Sequence, residues 1–244
     1  MNIPELRAEL ESDRAWREDE IRFLQNQLSD FPEDEKLRQR RPLLLILYAH
    51  YEGFCKFALT LYVNAINREG LPISQVNYAL ATACLSDLLE AMCDNSSKSD
   101  LFRHALPDDV KLHRFARQRE FVRSIDTYLS RPARIPVNIV DLESNLKPAV
   151  LRKLLYQIGF QHDQFAFIES EIQQLLKARN GIAHGETKDG IDGRTYLRLR
   201  QCAFKVMAGV LTQVSQALSE QSYERRTPYL LPASIVQSVL PSAH

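Results

Sequence analysis

Arg179 and His184 bracket the stretch RNGIAH, pairing a permanent cation with a group that exchanges protons near neutral pH. Metal-free cleavage of a ribose-phosphate chain needs both. The 2′-hydroxyl must lose a proton as it attacks the neighbouring phosphorus, and the 5′-oxygen must gain one as it leaves. Imidazole, with an unperturbed pKa of about 6.5, can act as base or acid. A guanidinium suits the phosphoryl oxygens, where transition-state charge accumulates. DNA lacks the 2′-hydroxyl, so this chemistry selects RNA.

The spacing carries some information. With 22 arginines and 6 histidines in 244 residues, an Arg five places before a His arises roughly 0.5 times by chance, and about 0.02 times when Asn must follow the Arg. Continued helix would put Asn180 and His184 on one face, where the amide could hold the imidazole tautomer. Arg179 would lie about 100° away. A plainer reading fits the same residues: a surface cation near a helix C-terminus and an ordinary capping histidine.

The elements around this stretch read as helices. Glycines number 8 and prolines 11, too few for the regular turns of a sandwich or barrel. Pro4 opens a helix over 4–29, with Leu6, Leu10, Ile21, Leu24 and Leu28 on one face; FPEDEK (31–36) breaks it. From Arg41 to Asn67, Leu47, Tyr51, Phe54, Ala58, Leu61 and Ala65 form one stripe, and Leu45, Tyr48, Tyr62 and Ile66 the opposite one. A helix apolar nearly all round belongs in the middle of a core or in a subunit interface. Gly53 within it would permit close approach of another backbone, and Gly70 and Pro72 end it.

Helices are further expected over 75–93, over the Arg-rich 107–129, and from a Ser144 cap to Gly159. Asp163 caps the next, whose stripe of Phe165, Ile168, Ile172 and Leu175/Leu176 leads into Arg179. RPARIPVNIVDLES (131–144) is a loop and ETKDGIDGRT (186–195) a polar turn. A last helix of about 25 residues turns Leu197, Phe204, Val210, Leu211 and Val214 inward. The expectation is all-α: one domain over 1–226 and an irregular tail over 227–244.

Charge excludes a global nucleic-acid field, since Lys+Arg and Asp+Glu are each 31. Contact must come from a local patch. Residues 1–41 hold 11 acidic and 8 basic side chains, and 98–134 hold 9 basic and 5 acidic. Arg194 and Arg198 share a helix face beside the motif and are candidates for RNA binding. Arg114, Arg117 and Arg123 fit either an RNA track or a solvated face. Cys55, Cys84, Cys93 and Cys202 show no CxxC spacing and read as buried thiols. His104, His113 and His162 lack partners at metal-ligand spacing, so no metal is expected. The sequence has no GxxxxGKS, GxGxxG or GxSxG. An N-terminus without an apolar h-region and the lack of any 18-residue apolar run place the chain in the cytosol.

The string LLKARNGIAHGE (175–186) resembles the R-[N/H/D]-x(3–5)-H motif of the HEPN superfamily (higher eukaryotes and prokaryotes nucleotide-binding). LLLILYAHYEGFCKFALTLYVNAI (43–66) resembles the YAHxEGF helix of one bacterial subfamily of predicted HEPN nucleases, and SNLKPAVLRKLLYQIGF (144–160) is similar to its segment upstream of the motif. The resemblance implies a HEPN-like helical bundle with an extra N-terminal helix. It implies a homodimer with a composite site, in which Arg179 contacts the scissile phosphate, His184 handles protons and Asn180 supports the geometry. Glu52 is expected near the motif, with His50 equally able to be packed; Glu186 is a second candidate for support. No cofactor is implied.

Many relatives are toxins of toxin–antitoxin pairs or anti-phage effectors, which implies RNA as substrate and an antitoxin or defence protein as partner. Two departures stand out. Toxins silenced by a nucleotidyltransferase antitoxin carry a Tyr two places after the motif His, where this chain has Glu186, and Tyr51 replaces the Trp usual in HWEGF. Two alternatives remain open: a non-catalytic HEPN module binding RNA, a nucleotide or a protein, and a helical scaffold whose RNxxxH is coincidental.

Overall fold

The computed structural model describes residues 1–94 and 96–225. Among them are eight α-helices and no strand: α1 (Ile3–Asn26), α2 (Glu33–Glu69), α3 (Tyr78–Cys84), α4 (Ser86–Cys93), α5 (Val110–Ser130), α6 (Pro148–Gln157), α7 (Glu169–Ala183) and α8 (Gly193–Ser219). The tail expected over 227–244 lies outside the described residues. No described helix is long and apolar enough to cross a membrane.

The central element is α2, whose predicted stripe from Leu47 to Ala65 is buried throughout. Of the opposite stripe, Tyr48, Tyr62 and Ile66 are buried too and Leu45 is half-buried. It packs most extensively on α8, then on α1 and α7. The helix starts eight residues before the expected Arg41, because Glu33, Asp34 and Glu35 complement the positive end of its dipole. Pro42 lies inside it and gives up one backbone hydrogen bond. Gly70, at φ +66°, closes it.

α1 is a polar helix that buries only Leu10, Glu18 and Ile21. Glu18 is held between Arg14 (2.9 Å) and Arg22 (2.6 Å). Gly53 of α2 faces α1, but its neighbour is a side chain rather than the expected backbone: a Cβ there would sit 2.8 Å from Nη1 of Arg17. His50 is also turned toward α1. Its ring meets Trp16 edge-on at 5.0 Å, and its Nε2 lies 2.6 Å from Glu20 Oε2.

Several boundaries differ from the sequence reading. The helix expected over 75–93 begins at Tyr78, because Val76 bridges Glu224 and Gln75 accepts from the Arg225 N–H. It breaks at Leu85, where the Ser86 hydroxyl takes the Ala83 carbonyl. Ser144 does not cap α6; it is in the left-handed region and Pro148 opens the helix four residues later. Gly159 does close α6, at φ +82°. After Asp163 comes a 3-10 turn (Ala166–Ile168), so the α-helix proper begins at Glu169.

On α8, Val210, Leu211 and Val214 are buried as expected, but Leu197 is 40% exposed and Phe204 only half-buried. Tyr196, Leu199, Ala203, Val206 and Met207 fill the inward stripe instead. Phe204 carries the guanidinium groups of Arg22 and Arg200 over its ring. Cys55 and Cys202 are buried; Cys84 is half-buried and Cys93 exposed, so not all four thiols are interior.

The segment joining α7 to α8 is pressed onto the start of α2. Ile191 N–H donates to the Leu37 carbonyl (2.9 Å), Arg40 Nη1 to the Ile191 carbonyl (3.3 Å) and Arg41 Nη2 to the Thr187 carbonyl (2.7 Å). At Gly190 a Cβ would lie 2.5 Å from Leu37 Cβ and 2.9 Å from its backbone carbon. A helix backbone cannot yield to that contact, so Gly190→Ala is expected to lower the unfolding free energy by about 1–3 kcal/mol in urea. A loss under about 0.5 kcal/mol would show that the segment moves freely off α2.

Burial pushes the His50 imidazole below its ordinary pKa, against the pull of Glu20 and Asp13 and with the help of Arg17. The unfolded chain therefore takes up a proton that the folded one refuses. Stability is full above the unfolded value of about 6.5 and falls as pH drops through it. Unfolding measured between about pH 7.5 and pH 5.5 should show a shallower decline in His50→Gln than in the unsubstituted protein. Parallel slopes would refute it.

Candidate functional site

Ile172, Leu175 and Leu176 bury one face of α7, and the next turn brings Arg179 and Asn180 to a half-buried position at its end. His184 is the C-cap residue, at φ −89° and ψ 0°, with its N–H donating to the Asn180 carbonyl (3.0 Å). Its side chain is exposed. Gly185 follows at φ +72° and reverses the chain, so that Thr187 N–H donates to the Gly181 carbonyl (2.9 Å). A Cβ on Gly181 would sit 2.5 Å from the Thr187 hydroxyl. The glycines between and after the motif residues thus have local reasons.

Among the described residues, the hydrogen bonds of Arg179 all leave from one nitrogen. Its Nη1 donates to Asn180 Oδ1 (2.8 Å) and to Asn145 Oδ1 (3.1 Å), and its Cζ lies 5.1 Å from the centre of the Tyr48 ring. The Tyr48 hydroxyl donates to Glu52 Oε1 (3.1 Å). The Leu146 N–H donates to both that hydroxyl and that carboxylate, each at 2.9 Å, and Tyr51 donates to the Leu146 carbonyl at 3.4 Å. Burial, reinforced by the Glu52 charge, pushes the Tyr48 phenol far above its ordinary pKa. It stays a neutral donor.

Of the residues singled out from the sequence, Arg179, Asn180 and Glu52 come together, the last through Tyr48. His184 stands one turn further along the same helix. The amide expected on the imidazole is on the guanidinium instead; among the described residues no hydrogen bond joins the Asn180 side chain to the His184 ring. His184, as the C-cap, still donates its N–H to the Asn180 carbonyl, but its ring is exposed.

Glu186 is exposed in the turn beyond. Arg194 is exposed on the first turn of α8, and Arg198 donates to Gln174 Oε1 of α7 (2.7 Å). His50 is outside the site, packed against α1.

Arg117 is used inside the chain, where it donates to the Ser97 and Asp94 carbonyls, and so drops from the candidate RNA track. Arg114 and Arg123 are exposed. His113 is buried despite its polar sequence neighbours: its Nδ1 accepts from Ser99 N–H (3.0 Å) and its Nε2 pairs with the Leu106 carbonyl (2.9 Å). Among the described residues no group of three or more His, Cys, Asp or Glu side chains could hold a metal ion.

Two members of the cluster escape sequence reasoning as site residues. Asn145 lies 34 positions before Arg179, beyond any local periodicity. Tyr48 reads from its spacing as core, and it is, apart from the ring face it offers the guanidinium. A single signal pointed to both: they fall in the two stretches, 43–66 and 144–160, that resemble HEPN segments.

Comparison with known proteins gives one finding. The family model HEPN_MAE_28990-like HEPN matches residues 6–223, from the first turns of α1 to beyond the end of α8. No curated protein matches the chain, and no solved structure does. The match spans the helical bundle and every residue of the cluster around Arg179, and so this chain belongs to the HEPN_MAE_28990-like HEPN family.

Proposed function

We propose that this HEPN protein is a metal-independent endoribonuclease whose chemistry is carried by Arg179 and His184. The observation that supports it most is the state of the guanidinium. Among the described residues Arg179 is hydrogen-bonded through Nη1 alone, which leaves its Nε and Nη2 protons for an incoming group, one turn from an exposed imidazole. That free edge has the geometry of a two-pronged phosphate contact.

In this reading the 2′-hydroxyl gives its proton to an imidazole as its oxygen bonds to phosphorus. The P–O5′ bond breaks and the leaving oxygen takes a proton from an imidazolium. Arg179 meets the charge on the phosphoryl oxygens, and Asn180 keeps the guanidinium in place. A second copy of the chain, as HEPN domains commonly form, supplies the second imidazole, so that base and acid come from the two motifs of a composite site. Arg194 and Arg198 extend the phosphate-binding surface along the start of α8. The biological setting that fits is a cytoplasmic toxin or anti-phage effector restrained by a partner protein. Glu186 in place of Tyr removes one acceptor by which related toxins are silenced.

Labelled RNA incubated with the purified chain in EDTA should yield ends bearing 2′,3′-cyclic phosphate and 5′-hydroxyl. Arg179→Ala and His184→Ala should each slow cleavage on the order of 100-fold or more. RNA binding with no cleavage would favour a non-catalytic HEPN module instead. Growth arrest on expression, relieved by His184→Ala, tests the toxin role; equal growth of both strains counts against it.

A further inference from the structure

Glu143 and Ser144 both occupy the left-handed region, at φ 50° and 66°. Non-glycine residues avoid it, and two in succession persist only where the surroundings hold them. Two residues after Ser144, Leu146 is fixed to one turn of α2 by Tyr48, Tyr51 and Glu52, and its side chain is fully buried. Between these restraints stands Asn145. Its own N–H donates to the Leu142 carbonyl (3.0 Å), and its carbonyl accepts from Lys147 N–H (2.8 Å). The backbone is thereby spent on the turn, and the amide is aimed at Arg179 Nη1.

Nη1 carries two protons. Asn145 and Asn180 accept both, from different elements, while the face of the guanidinium rests against Tyr48. We infer that Asn145 is a positioning residue: with Asn180 it clamps Nη1 so that the Nε–Nη2 edge of Arg179 is the one presented to an anion. Glu52 acts one step further back, as the carboxylate that fastens Leu146 and so keeps the 143–146 turn against α2. The inference rests on the endoribonuclease reading only for the identity of that anion, a phosphodiester. The clamp itself does not need it.

The test has two readouts on the full chain. In arginine-labelled protein the Arg179 Nε–Hε NMR signal is assigned by its loss in Arg179→Lys. Its fast internal motion is then compared between the unsubstituted protein, Asn145→Ala and Asn145→Asp. Asn145→Ala should set the guanidinium moving, whereas Asn145→Asp, which keeps the acceptor, should leave it rigid. In RNA cleavage, Asn145→Ala should lower kcat about tenfold and change KM less than about threefold. It should also add nothing to the loss already caused by Arg179→Ala.

An Arg179 signal equally rigid in Asn145→Ala overturns the proposal, as do losses from Asn145→Ala and Arg179→Ala that multiply. If the unsubstituted protein cuts no RNA, the nuclease reading fails, and the NMR comparison alone decides whether the clamp exists.

Discussion

A helix of 37 residues that is apolar on two opposite sides cannot stand in water, and α2 is such a helix. Its burial sets the arrangement of everything else. α8 covers one long side, α1 and α7 take flanking positions, and the 143–146 turn closes the gap beside Tyr48 and Glu52. α1 shows how strong that demand is. It brings only three fully buried residues and dense opposite charges, yet it is held by the surface α2 offers at His50 and Gly53. Tyr48, Tyr51, Phe54 and Tyr62 are among the largest fully buried side chains of the protein.

The same economy governs charge. A chain with zero formal net charge has no long-range field to gather a polyanion, and much of its arginine is committed internally. Arg17 pairs with Asp13, Arg22 with Glu18, Arg40 and Arg41 with the segment after the motif, Arg117 with carbonyls of the α4–α5 connection, and Arg200 with Gln25. Arg179, like Arg200, is held by neutral amide oxygens rather than a carboxylate. Amide oxygens orient a guanidinium without cancelling its charge, which is what a site meant for an anion requires.

The fold class and the central helix were legible because hydrophobic period needs no long-range information: the Leu47–Ala65 stripe and the Ile172–Leu176 stripe are readable within one helix. Starts and breaks were less so. The 75–93 segment is divided by Ser86 and by pairing with residues 223–225, and nothing near Gln75 in the sequence announces a partner so far along the chain. On α8 the error was one of rotation: Leu197 and Phe204 are as apolar as their neighbours, and only tertiary packing selects Tyr196 and Ala203 over them. The motif itself stood out by residue type. Its supports did not, since Asn145 reaches Arg179 by way of a strained turn that no propensity predicts. Helix spacing points Asn180 at the imidazole, but the guanidinium of its chain neighbour Arg179 takes the amide oxygen, a competition that spacing alone does not reveal.

One rigid rod grips the motif at two heights. Leu37 to Arg41 hold the strand of chain that departs from His184, and Tyr48 to Glu52 hold, through Leu146 and the tyrosine ring, the environment of Arg179. The interval between those grips is therefore a gauge: each residue added or deleted there would turn one grip by about 100° and slide it about 1.5 Å relative to the other. Length variation should thus avoid the two turns of α2 between Arg41 and Tyr48.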